Sequence, residues 1–499
     1  MTSLLIRADA NTRIGTGHVM RCLALAQAWQ AEGGCALFLS QCDSAPLRHR
    51  VETAGVGFIP NDNPHPDPAD LQKTLALLDE LGASWLVLDG YHFDPTYQQA
   101  VRAAGHRLLV VDDTAHWPQY HADILLNQNI NAEQLSYVCD ADTRRLLGTR
   151  YVLLRPEFLA WRDWQHEVSH VARKVLVTLG GSDPDNVTLK VIQALQQVGV
   201  PELDAKIIVG PANPHLNTLC RAIESLNGHM QLLTTVTNMP ELMAWADMAI
   251  SAAGSTCWEL AFMGLPSVLL LLAENQCAGA KELSKRGVAL NLGWHGQVEP
   301  AQIAQVVTEL SASVRTRTEM ASQGQNFVDG DGIDRVLMRM CDRKIRLRRV
   351  REKDCGLLWE WANDLDVRKV SFSSEPIAWH QHLKWFNSKL HDPNCVFYIA
   401  VDEDETSIGQ VRYDVNEDEA VISVSLDARF RGRRYGTTMI ALASQKLYRT
   451  SQVKLIHSYI KPGNEASTRA FLKAGFEQAG TELVHGHPAM HLILPKQET

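Results

Sequence analysis

Four stretches of this sequence combine small residues with groups that can hold or break a phosphate ester. The first is Gly15-Thr16-Gly17-His18, after an apolar run at 4–6 and before a helical pattern carrying Leu23, Leu25, Ala26 and Trp29. Glycines let the backbone come close to a ligand, and a helix start concentrates free N–H groups and positive potential. That potential disfavours imidazolium, so His18 is expected to stay neutral and able to take a proton. A lone G-x-G-H is a short motif, and the same histidine can simply close a turn. The second stretch is Gly180-Gly181-Ser182-Asp183, directly after an apolar run at 174–179. The third runs from Ser251 through Gly254, Ser255 and Thr256 to Glu259. Glu259 stands at i+4 from Ser255 on one helix face, where a carboxylate can accept from both hydroxyls of a ribose. Asn275 and Gln276 follow the apolar run 267–273 and can meet a sugar or phosphate, or merely satisfy loop backbone. The fourth stretch is basic: Arg431-Gly432-Arg433-Arg434-Tyr435-Gly436-Thr437, after a strand pattern that ends at Leu426. Arginines and helix-start N–H groups together suit a pyrophosphate.

These residues need elements to hold them. Apolar runs at 36–40, 85–88 and 108–111 alternate with helical patterns such as 69–81. Runs at 174–179, 206–209, 248–251 and 267–273 continue the alternation in the next part of the chain. Such alternation predicts βαβ units, and so two Rossmann-like, doubly wound α/β domains with parallel sheets. Ligands bind such sheets beyond the carboxyl ends of the strands. Asp9, Asp89, Tyr91 and Asp112 all sit at predicted strand ends and are expected to converge with His18, although an Asp there often only caps the next helix. His92, His106, His116 and His121 lack metal-ligand spacing and read as surface or structural. Domain limits are placed at 1–160 and 161–340, with the Trp-containing segment 155–173 as the bridge. A third domain, 345–499, begins after the basic run 342–351. It reads as α+β: helices at 354–363 and 379–390, hairpin strands at 396–401, 407–413 and 420–426, a helix at 439–448 and a strand at 454–460.

The length of 499 residues fits two or three domains, and a chain 45% apolar and 21% charged can fill their cores. A formal charge of -9 argues against nucleic acid as a general partner. No signal peptide and no apolar run of about 20 residues is present, so a cytoplasmic protein with no membrane partner is expected. Ten cysteines without a C-x-x-C pair read as reduced thiols, and no metal is expected.

The order G-x-G-H, G-G-S-D, S-A-G-S-T-x-W-E and E-N-Q over 1–340 resembles the UDP-sugar hydrolases of pseudaminic acid biosynthesis, relatives of the two-domain nucleotide-sugar glycosyltransferases with a glycosyltransferase-B-like fold. The resemblance implies hydrolysis of UDP-2,4-diacetamido-2,4,6-trideoxy-β-L-altropyranose. UDP would lie on Gly180, Gly181, Ser182, Gly254, Ser255, Thr256, Glu259, Asn275 and Gln276, with Gly17 beside it and the sugar facing His18. UDP leaves readily, so the chemistry needs a base for water rather than a strong acid: His18 takes the proton, Tyr91 orients water or sugar, and Asp9 holds the sugar or fixes His18.

Over 345–499, R-G-x-x-x-G before a helix and N-x-x-S-x-x-x-F-x-x-x-G-F resemble the GNAT acetyltransferases. The resemblance implies acetyl-CoA as cosubstrate, with its pyrophosphate on Arg431, Gly432, Arg433, Arg434, Gly436 and Thr437. It places the pantetheine arm by Asn464 and Ser467, and an oxyanion at a splayed strand near Ser425 and Leu426. Arg434 stands where the family usually has Gly, so a differently shaped loop is expected. Phe471 stands where many members carry a Tyr acid, which leaves Tyr459, His457, His485 and His487 as candidates.

Together the resemblances imply a bifunctional enzyme. The third domain would acetylate N4 of UDP-4-amino-4,6-dideoxy-N-acetyl-β-L-altrosamine, and the first two would then remove UDP. Other enzymes of the same sugar pathway are the expected further partners. The alternatives are a UDP-sugar glycosyltransferase, or a non-catalytic nucleotide-sugar-binding module, fused to a GNAT domain that acetylates another amine.

Overall fold

The computed structural model describes residues 3–11, 14–210, 213–224, 229–234 and 236–497; residues 12 and 13, in the approach to the Gly15 loop, lie outside them. The chain forms two compact units, Met1–Leu337 and Met338–Thr499.

The first unit holds two sheets. The strands of the first are β1 (Ser3–Ala8), β2 (Cys35–Ser40), β3 (Gly57–Pro60), β4 (Trp85–Asp89), β5 (Leu108–Val111), β6 (Ile124–Asn127) and β7 (Arg144–Leu147). All pair in parallel in the order β3-β2-β1-β4-β5-β6-β7. The strands read as unbroken apolar runs because helices cover both faces; Trp85 to Asp89 is buried at every position. The order reverses between β1 and β4, where Ala8 pairs with Asp89. Loops leaving these two strands therefore open side by side, and helix α1 (Gly17–Ala31) starts in that crevice.

The second sheet repeats the plan. Its strands are β8 (Lys174–Thr178), β9 (Asp204–Ile208), β10 (Met230–Leu233), β11 (Met248–Ala252), β12 (Ser267–Leu271) and β13 (Leu290–Trp294), in the order β10-β9-β8-β11-β12-β13. Here the order reverses between β8 and β11, so the Gly180 turn and the start of helix α2 (Thr256–Met263) share one crevice. Helix Gly332–Met340 returns toward the first sheet: a Cβ on Gly332 would lie 2.2 Å from the Val152 carbonyl oxygen, and Arg335 donates to the Arg150 carbonyl at 2.8 Å.

The second unit is one mixed sheet of β14 (Arg346–Arg349), β15 (Cys395–Val401), β16 (Ser407–Asn416), β17 (Glu419–Leu426), β18 (Leu455–Ile460), β19 (Glu477–Val484) and β20 (His487–Pro495), ordered β14-β15-β16-β17-β18-β20-β19. Its one recorded parallel pair, β17 with β18, runs from Glu419↔Leu455 to Val421↔His457. Beyond it β17 stays with β16 as far as Leu426, and β18 stays with β20 as far as Ile460. The two halves of the sheet thus part in a V. Helices α3 (Tyr435–Thr450) and α4 (Glu465–Lys473) follow. Met439, Ile440, Ala443 and Leu447 of α3 share one buried core with Ile456 and Ile460 of β18. No helix among the described residues is long and apolar enough to cross a membrane.

Candidate functional site

His18 lies in the first turn of α1, and its Nδ1 stands 2.6 Å from Asp89 Oδ1 at the end of β4. Arg21, one turn on, clamps the same carboxylate from Nε (2.6 Å) and Nη2 (2.7 Å). The Arg21 guanidinium also donates to both oxygens of Asp113, each at 2.9 Å. Tyr91 donates to Asp113 at 2.8 Å, Asn129 donates to it at 2.7 Å, and the Tyr91 ring meets His18 edge-on at 5.2 Å. Burial alone would raise the Asp89 carboxyl, but Arg21 and His18 outweigh it and hold it well below the usual carboxylate range. Burial and Asp113 push the Tyr91 phenol upward, so it stays a donor. With Asp89 anionic, Nδ1 carries the proton toward it and Nε2 is left to accept. Nε2 makes no hydrogen bond among the described residues, and the side chain is 10% exposed.

Two of the expected strand-end carboxylates are engaged elsewhere. Asp9 neither reaches nor fixes His18: it is held by Arg7, by the Gln41 amide at 2.7 Å and by His92 at 3.1 Å. Asp112 caps its own loop, accepting from Thr114 and Ala115 amides and from the Tyr120 and Tyr137 hydroxyls. Their charge is spent on structure, and Asp89 is the residue that holds the imidazole. Arg21, Asp113 and Asn129 are not among the sequence candidates, although Asp113 adjoins the strand-end Asp112. Arg21 was open to discovery, standing three residues from His18 on the same helix face.

The small-residue loops of the two sheets meet at this histidine. A Cβ on Gly181 would lie 3.0 Å from Thr16 Oγ1, and one on Gly17 would lie 3.6 Å from Ser255 Oγ. Gly180 has φ +90, and a Cβ on Gly254 would lie 3.9 Å from Gln276 Nε2. Ser255 begins α2 without using its hydroxyl as a cap, which leaves that hydroxyl for a ligand. Asn275 donates to the Tyr91 hydroxyl at 2.9 Å, tying the second sheet's loop to the first sheet's site. Gln276 Oε1 takes the Leu272 amide, so only its amino end can face a ligand. Glu259 is gripped by Arg155 through Nε (2.7 Å) and Nη2 (3.0 Å); a carboxylate so held keeps further lone pairs for ribose hydroxyls. Arg21, Gln128, Arg155, Ser255 and Glu259 line one narrow cleft. Ser182 and Thr256 flank these turns, while Asp183 caps the following helix through the Val187 and Thr188 amides.

In the second unit the basic loop lies between the end of β17 and the start of α3. Arg434 is the residue before α3 and has φ +67, ψ 0. An arginine thus holds a left-handed position, a conformation that favours glycine. Arg431 is not aimed outward, because it bonds the Leu426 carbonyl (3.2 Å) and Asp364 (2.8 Å). Arg433 and Arg434 are exposed and Gly436 is buried under Leu426. Thr437 lies in the first turn of α3, and Asn464 spends its Oδ1 on the Ser467 amide at 3.2 Å, leaving its amino group outward. Phe471 is buried against Phe476, away from solvent. His485 and His487 flank the exposed turn between β19 and β20.

A left-handed non-glycine residue is strained by roughly 1–2 kcal/mol, while glycine returns about 0.5–1 kcal/mol through its freer unfolded state. Arg434→Gly should therefore leave the melting temperature nearly unchanged and weaken the loop's hold on a pyrophosphate by removing a charge. Arg434→Ala should weaken it equally while keeping the strain. Calorimetric titration of both variants separates charge from loop shape; full affinity in either would remove Arg434 from the phosphate site.

Residues 344–477 match the acetyltransferase (GNAT) domain family. The C-terminal unit carries a GNAT acetyltransferase domain. Residues 175–336, which hold the second sheet, match the glycosyltransferase family 28 C-terminal domain. An uncharacterized protein of Methanocaldococcus jannaschii is 23% identical over 492 residues, 95% of this chain and 96% of its own, and is thus similar through both units. A spore coat polysaccharide biosynthesis protein of Bacillus subtilis is 27% identical over 336 residues, 66% of this chain and 95% of its own. The UDP-2,4-diacetamido-2,4,6-trideoxy-β-L-altropyranose hydrolase of Campylobacter jejuni is 23% identical over 291 residues, 57% of this chain and 97% of its own.

Proposed function

We propose that the chain is a bifunctional enzyme of pseudaminic acid biosynthesis: its GNAT unit acetylates the 4-amino group of a UDP-sugar, and its first unit hydrolyses the acetylated UDP-sugar to UDP and free sugar. The observation that carries the second half is His18, held through Nδ1 by Asp89 with Nε2 unspent, next to Gly17, which abuts Ser255. Water held against Nε2 attacks the anomeric carbon; the C–O bond to the diphosphate breaks and the water proton passes to Nε2. Asp89 keeps the ring in the accepting tautomer, and Arg21 keeps Asp89 anionic. The Gly180-Gly181-Ser182 turn and the start of α2 receive the negative charge that moves to the diphosphate. Glu259 takes the ribose, and Asn275 with Tyr91 positions the sugar. Acetyl-CoA is the proposed cosubstrate of the GNAT unit, on the Arg433–Thr437 stretch.

A mass-resolved time course tests this. With the UDP-4-amino-sugar and acetyl-CoA, the acetylated UDP-sugar should form first, then free diacetamido sugar and UDP. The family 28 match favours one other reading, transfer of the sugar to an acceptor. That reading wins if the acetylated UDP-sugar persists until an acceptor is added.

A further inference from the structure

On the face of the second unit's sheet turned away from α3, two imidazoles and two carboxylates form an unbroken chain. His457 Nε2 stands 3.2 Å from Glu419 Oε2, His457 Nδ1 stands 2.9 Å from His491 Nε2, and His491 Nδ1 stands 2.7 Å from Glu482 Oε1. The imidazoles stack at 5.2 Å, and Tyr459 stacks on His491 at 4.8 Å. Nitrogens bonded to each other cannot ligate a cation, and no metal-holding cluster is found among the described residues.

The chain's proton count follows from its bonds. Each carboxylate accepts, so each outer nitrogen carries a proton; the inner pair shares one. Three protons on two imidazoles make one imidazolium and one imidazole. The pair is therefore complete when it holds one extra proton, and lacks one bond when it holds none. The groups bonded or ion-paired to it among the described residues are Glu419 from β17 and Glu482 from β19, with the Tyr459 phenol of β18 stacked beside it. Both glutamates are at least half exposed, whereas the imidazoles are 14% and 12% exposed, so the carboxylates are the way in.

The chain lies where the sheet opens. Val421↔His457 is the last pair between β17 and β18, and Tyr459↔His491 lies in the parted region beyond it. Resting on the acetyltransferase reading above, we infer that this Glu419–His457–His491–Glu482 chain is the base for the acceptor amine. The acceptor ammonium docks on Glu482 and passes one proton across that carboxylate to His491 Nδ1, giving the fully bonded, singly charged pair. The freed nitrogen lone pair attacks the thioester carbonyl; the C–N bond forms, the C–S bond breaks, and sulfur leaves with the electron pair. The second N–H proton goes to the thiolate, and the pair returns its proton to solvent.

The test measures kcat/KM for thiol release from acetyl-CoA with the UDP-4-amino-sugar across pH, for the wild type, His491→Gln and Glu482→Gln. At neutral pH His491→Gln should lose about 10²-fold. It should regain most of that at alkaline pH, where the amine is already neutral, with KM for acetyl-CoA unchanged. Glu482→Gln, on an exposed edge strand, should fold normally and lose turnover at neutral pH in the same way, because the carboxylate that receives the ammonium and passes its proton is gone. Wild-type profiles in both variants would overturn the relay while leaving the acetyltransferase reading intact. A wild-type protein that acetylates no amine would overturn both.

Discussion

Replacing His18 by alanine is expected to lower UDP release by about 10²–10⁴-fold, the usual worth of a positioned proton acceptor, while acetyl transfer continues at its wild-type rate. The acetylated UDP-sugar should then accumulate as the end product. The variant should fold, because Asp89 keeps Arg21 and Cys22 as partners and no buried charge is left alone. UDP affinity should be unchanged, because the diphosphate and ribose groups proposed here lie on the second sheet's loops. Separating the nucleotides by ion exchange over the time course checks all three outcomes. If the variant still releases UDP at the wild-type rate, the water is activated by another group. The other side chains beside His18 are poor substitutes: Tyr91 is held protonated, and Asp113 is saturated by Arg21, Tyr91 and Asn129.

The sequence made much of this legible, for physical reasons that differ from place to place. Strands β4, β5 and β12 are buried runs with no competing pattern, and the alternation around them implied doubly wound sheets. The glycine turns stood out because only small residues let two loops approach as Gly181 and Thr16 do. Strands at the sheet edges were passed over. Gly57–Pro60 is half exposed and contains a proline, and Arg144–Leu147 begins with two exposed arginines. In the second unit β19 is exposed along nearly all its length and offers no apolar alternation. The site was legible only as far as residue type. That three strand-end carboxylates were candidates could be seen; which one faces His18 depends on strand order, and β1 borders β4. The pairing of Arg431 was hidden for a similar reason: its spacing matches a phosphate loop, while Asp364, which accepts from its guanidinium, lies far off in sequence.

The choice between carboxylates yields the sharpest contrast. Asp89→Asn is expected to lower UDP release by about 10²–10⁴-fold, whereas Asp9→Asn should leave it close to wild type. Both oxygens of Asp89 receive an Arg21 N–H, so an amide must turn its own N–H group against one of them. If that group faces His18, it donates to Nδ1 and drives the proton onto Nε2, the atom that must accept; the same exchange in a Ser-His-Asp triad lowers the rate about 10⁴-fold. If it faces the other way, the tautomer survives but the imidazolium loses its counter-charge. The stability readout is separate. Asp89 lies below its ordinary value in the folded chain, so its contribution is complete above the unfolded carboxyl value of about 4 and fades as pH falls toward the folded value. Breaking a buried pair costs about 3–5 kcal/mol, and Asp113 still holds Arg21, which favours the low end. Asp89→Asn should therefore melt lower than wild type at neutral pH, with the gap closing below about pH 4. Asp9→Asn should also lower the melting temperature, since Arg7, Gln41 and His92 depend on it, without the loss of turnover. Equal turnover in the two variants would mean that proximity to His18 in the folded chain does not decide which carboxylate serves the reaction.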